Sequence, residues 1–78
     1  MTHRHFTTVL GANIRRSRES KGWTQRDLSI AINATVNTVS SIERGLSTPS
    51  SFLLLLISNA LEVELKELTS DAQAAAAA

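Results

Sequence analysis

Apolar residues recur along most of this 78-residue chain at steps of three and four, and no stretch alternates with the two-residue period of a half-buried strand. That spacing belongs to helices with one buried face, so the chain is expected to be all-α. With one proline and three glycines, the breaks between helices are few and can be read directly. Phe6, Val9, Leu10 and Ile14 line one side of a first helix that ends by Gly22. Trp23 opens a new segment. Thr24 is placed to cap a second helix, Asp27 adds a negative charge to its first turn, and Leu28, Ala31 and Ile32 form its inner side. Asn33, which tolerates left-handed backbone, is the expected break. Thr35 can cap a third helix whose inward residues are Val39 and Ile42, with Val36 at the edge, and Gly45 closes it. Thr48-Pro49 reads as a hydroxyl cap with proline at the first helical position, opening a fourth helix. Glu62 to Leu68 reads as a short fifth helix bearing Leu65 and Leu68.

A chain of this length makes one small domain with a modest core. Residues 1–69 are assigned to it, with 1–5 expected to be mobile, and the alanine-rich stretch 70–78 is given no function. The chain has no cysteine, so neither disulfides nor thiolate metal sites can reinforce it, and association with a second copy is the remaining route. Phe52 to Ile57 is the longest apolar run, far short of the ~20 residues a membrane span needs. No secretory pattern opens the chain, and a cytoplasmic protein without membrane contact is expected. His3 and His5 have no further ligands nearby in sequence, so no metal is expected, and no cofactor either. No nucleophile with a base, carboxylate pair or glycine-rich phosphate loop stands out, so an enzyme is not expected.

Charge is divided along the chain. Residues 1–45 carry seven basic side chains against three acidic ones, and residues 46–78 carry one against four. One end therefore attracts a polyanion and the other repels it.

Two short helices joined by a tight turn form a helix-turn-helix pattern, whose second helix enters the DNA major groove. The third helix suits that role. Thr35, Asn37, Thr38, Ser40 and Ser41 are short and polar, so the backbone can come close to bases while donors and acceptors remain available.

The run Thr24-Gln25-Arg26-Asp27-Leu28-Ser29, with Asn33-Ala34-Thr35, Val39-Ser40-Ser41-Ile42-Glu43-Arg44-Gly45 and Thr48-Pro49-Ser50, resembles the Cro and phage-repressor family, also called XRE-type. The similarity extends from Leu10 to Leu68 and implies a compact five-helix, lambda-repressor-like domain. It implies base contacts by Thr35, Val36, Asn37 and Ser41, and phosphate contacts by Gln25, Arg44 and Ser47. It also implies that Arg18 and Glu43 form a structural pair between the first and third helices. Two positions depart from the pattern: Asn33 stands for the usual turn glycine, and Val36 for a residue that is often polar. Arg15, Arg16 and Lys21 are read as a solvated face with a diffuse electrostatic role.

The leucine-rich fourth helix is apolar almost all round, so a dimer surface is expected within residues 52–68, away from the DNA face, from Leu53, Leu56 and Ile57 with Leu65 and Leu68 of the fifth helix. The expected function is sequence-specific double-stranded DNA binding by a homodimeric repressor on an inverted repeat. The alternatives are a protein-interaction module, such as an antitoxin bound to its toxin, and a restriction-modification controller.

Overall fold

The computed structural model describes residues 2–69. Its helices are α1 (His3–Ser20), α2 (Gln25–Ala31), α3 (Val36–Glu43) and α4 (Ser51–Leu61). A single helical turn, α5, follows at residues 65–69. The domain is all-α with five helices, as the apolar spacing implies, and no strand occurs among the described residues. The alanine-rich stretch 70–78 lies outside them.

Each break has a local cause. Gly22, Asn33 and Gly45 all take positive φ, at 79°, 55° and 73°, and turn the chain out of α1, α2 and α3. α2 starts on a reciprocal cap: Thr24 Oγ1 accepts the Asp27 N–H at 3.1 Å, and an Asp27 carboxylate oxygen accepts the Thr24 N–H at 2.8 Å. Thr35 caps α3 through the Thr38 N–H, also at 3.1 Å. α4 begins later than Thr48-Pro49 suggests. Its cap is Ser50, whose hydroxyl accepts the Leu53 N–H, while the Thr48 hydroxyl pairs with His3 Nε2 at 3.1 Å. The fifth helix also starts later than expected, since Glu62 ends α4 in the left-handed region at φ 58°. His3 to His5 form the first turn of α1, capped by Thr2.

The core takes Leu10 and Ile14 from α1, Leu28 from α2 with Ile32 just past its end, Val39 and Ile42 from α3, and Ile57 and Leu61 from α4. Leu68 of α5 completes it, with Trp23 packed half-buried at its side. These pairs are three or four residues apart, so each helix turns one stripe inward. Full burial of one such side chain stabilises by about 1.5–3 kcal/mol. Ala31, expected inside, is exposed. It stands at the last position of α2, and the stripe through Leu28 and Ile32 leaves it on the outer side.

One buried hydrogen bond and one close approach fix the arrangement of the helices. Asn13 Nδ2 donates to the Leu68 carbonyl at 2.7 Å, holding α5 on α1. Gly11 lets α3 approach from the other side, because a Cβ there would lie 2.2 Å from the Ile42 carbonyl oxygen.

Candidate nucleic-acid interface

α2 and α3, joined by the turn at Ile32 to Thr35, form the helix-turn-helix, and α3 packs against both α1 and α2. Val39, Ile42 and Glu43 are the buried side of α3. Its start is open: Thr35, Val36 and Asn37 are exposed, while Thr38, Ser40 and Ser41 are half-buried. The N-terminal turn of α3 therefore presents a small-residue edge on which the Asn37 amide is exposed. A bulky side chain here would hold the backbone away from a groove floor, and these side chains do not.

The expected base-contact residues are not equivalent. Thr35 Oγ1 is committed to its own helix, accepting the Thr38 N–H and sharing a hydrogen bond with Thr38 Oγ1 at 3.0 Å. Val36 offers only methyl groups. Ser41 sits a turn further along and is half-buried. Asn37 carries the accessible side-chain donors and acceptor among these four.

The C-terminal end of α3 is anchored by a charged cluster. Arg18 Nε and Nη2 donate to the two Glu43 carboxylate oxygens at 2.7 and 3.0 Å, a bidentate pair buried between α1 and α3. A third donor, Nη1, reaches the Trp23 carbonyl at 2.7 Å. The hydrogen bonds to Glu43 raise the Arg18 pKa above its ordinary value, against the opposing effect of burial. Removing one partner of a buried pair costs about 3–5 kcal/mol, because the other is left buried and unpaired.

Gln25 joins that cluster, which the sequence did not reveal. Its Nε2 donates to Glu43 Oε1 at 3.0 Å. One amide hydrogen expected for a phosphate is thus used to brace α2 against α3. Arg44 and Ser47 lie just beyond α3 and are exposed.

Of the five residues expected to form a dimer surface, Ile57 at 1% exposure and Leu68 at 0% are core residues of the chain itself. They face inward because α4 and α5 close the bottom of the same small core. Leu53 and Leu56 are half-buried against it, and Leu65 is partly exposed. The outward apolar residues of α4 are Phe52 at 71% and Leu55 at 49%. They share one helix face at a three-residue step, a signal that the unbroken leucine run concealed.

His3 and His5 are two residues apart on α1, so they point to different faces. His3 meets Thr48, and His5 Nε2 is buried. Among the described residues no group of three metal-binding side chains occurs, and no helix is long and apolar enough to cross a membrane.

A short, polar helix set upright on a buried pair, preceded by a capped helix and a tight left-handed turn, defines a helix-turn-helix domain of the kind that DNA-binding transcriptional regulators carry. The model of the helix-turn-helix family HTH_3 matches residues 14–68, and the chain belongs to that family, the XRE type. It is 39% identical over 64 residues to the transcriptional regulator ClgR of Mycobacterium tuberculosis, covering 82% of this chain and 57% of ClgR. The structure superposes on the clp gene regulator ClgR from C. glutamicum with a TM-score of 0.84 at 31% identity, over 96% of this chain and 94% of that one. It superposes on the restriction-modification controller protein C.AhdI from Aeromonas hydrophila with a TM-score of 0.77 at 29% identity, over 80% and 94% of the two chains. The chain spans about half the length of the curated relatives it matches, 43% to 57%.

Proposed function

We propose that this chain is a sequence-specific double-stranded DNA-binding transcriptional regulator, a cytoplasmic repressor that acts as a homodimer on an inverted repeat and performs no catalysis. The observation that carries the reading is the exposed N-terminal turn of α3, with Asn37 as its accessible hydrogen-bonding side chain. Asn37 reads base edges in the major groove, where an asparagine amide pairs well with adenine. Val36 touches a thymine methyl, and Thr35 and Ser41 lie against the neighbouring bases or sugars. Arg44 and Ser47 grip phosphates beyond the helix, and Gln25 does so with the amide hydrogen not given to Glu43. Phosphate contacts then supply affinity and position, and α3 supplies discrimination.

Homodimerisation uses Phe52 and Leu55, with Leu53, Leu56 and Leu65 at the margin. Family relatives named as regulators support the role in transcription. A second reading rests on the same Phe52 and Leu55: the patch could receive a different protein, as an antitoxin receives its toxin, with DNA binding secondary.

The Asn37→Ala variant tests the reading. Affinity for the preferred site is expected to fall by about 1–3 kcal/mol, with affinity for mixed-sequence DNA nearly unchanged. An equal loss on both duplexes, measured by titration at one fixed salt concentration, would remove Asn37 from base readout.

A further inference from the structure

The first turn of α1 lies against the segment that follows α3, and between them is a cleft of about 400 Å³ lined by His3, Arg4, Thr7, Gly45, Leu46, Ser47 and Thr48. We propose that this cleft holds a backbone phosphate of bound DNA, with Arg4 as its charged partner and Ser47 and Thr48 as hydroxyl donors. The inference rests on the regulator reading and extends its footprint to the first turn of α1, far from α3 in sequence.

The lining carries the argument. It contains an arginine, a histidine and three hydroxyls, and no acidic side chain. The acids of the second half of the domain, Glu62, Glu64 and Glu67, are on the segment that ends α4 and leads through α5. The cleft is also built, not merely open. Gly45 packs so closely on α1 that a Cβ there would lie 2.8 Å from Thr8 Cα, which sets the distance between the two walls. His3 Nε2 and Thr48 Oγ1 tie the walls together at 3.1 Å. When His3 carries its proton on Nε2 it donates to Thr48, and the Thr48 hydroxyl is then available to donate into the cleft. Thr7 Oγ1 donates to the Arg4 carbonyl at 2.9 Å and so reinforces the backbone from which the Arg4 side chain extends.

Position selects DNA over a free anion as the occupant. Arg44 is exposed at the end of α3, and Ser47 belongs to the cleft itself, so the cleft continues the surface that flanks the recognition helix. Arg44 immediately precedes Gly45, the first cleft residue after α3, and carries the positive charge of the recognition helix's end toward the same segment.

Salt dependence distinguishes a phosphate contact from bulk charge, since each contact contributes about 0.9 to the slope of log affinity against log salt. The measurement is titration of a mixed-sequence duplex at several salt concentrations with the wild-type chain and with Arg4→Gln, Arg4→Lys and Arg15→Gln. Arg15 is about three turns further along α1, pairs with Glu19 at 3.5 Å, and removes the same charge when replaced. Arg4→Gln is expected to lower the slope by about 0.9, Arg4→Lys to retain it, and Arg15→Gln to leave it unchanged. Equal slopes for wild type and Arg4→Gln, or an equal drop in Arg15→Gln, would overturn the proposal and leave the regulator reading intact. A wild-type chain with no salt-dependent affinity for DNA would overturn both.

Discussion

Gly11 shows how much one residue can decide. It sits inside α1, where glycine is about 1 kcal/mol worse than alanine for an isolated helix, so its presence needs a reason outside the helix. The reason is α3, whose Ile42 and Glu43 carbonyl oxygens would lie 2.2 and 2.8 Å from an added Cβ. Both are backbone atoms at the end of the recognition helix and cannot swing aside. Gly11→Ala should therefore destabilise the domain, by about 3 kcal/mol, despite its better helix propensity. Urea unfolding that found the variant as stable as the wild type would show that α1 and α3 can separate without cost. Gln25 makes the complementary point. Its type and place beside a cap suit a phosphate, but the bond to Glu43 depends on where α3 lies, eighteen residues away, and no local pattern encodes it.

At the scale of the element, the legible features were those set by neighbours in sequence. The Thr24–Asp27 cap, the left-handed turn at Asn33 and the Thr35 cap follow from short-range hydrogen bonding and backbone sterics, and all three are present. Where several residues could perform one local task, tertiary contacts chose among them. Thr48, Ser50 and Ser51 surround Pro49 with possible caps; Ser50 takes the role, and Thr48 bonds to His3 across the fold. Ser50→Ala should then cost about 1 kcal/mol as a lost helix cap. Thr48→Ala should cost only a few tenths, since its exposed bond to His3 is replaced by water. Thermal unfolding of the two variants checks the order, and a larger loss in Thr48→Ala would return the cap of α4 to Thr48. The same limit applies to α4 itself, where a run of apolar letters contains both the core residue Ile57 and the outward Phe52, and only the packed fold separates them.

For the whole molecule, the division of charge follows the division of faces. The basic half holds α1, α2 and α3, and the acidic half closes the core from behind. A polyanion approaching from the acidic side meets repulsion, so the charge pattern orients the domain before contact. A single domain of this size offers one recognition helix, which reads only a few base pairs. Two copies acting together would have to hold their recognition helices about 34 Å apart, one turn of DNA, to enter successive major grooves. The most direct test is selection of bound duplexes from a randomised library by the wild-type chain at near-physiological salt, where simple charge attraction is weakened. A two-fold symmetric consensus with half-sites one helical turn apart is the expected result. Recovery of sequences no different from the starting pool would contradict base reading by α3 and leave the exposed apolar pair of α4 as the functional surface.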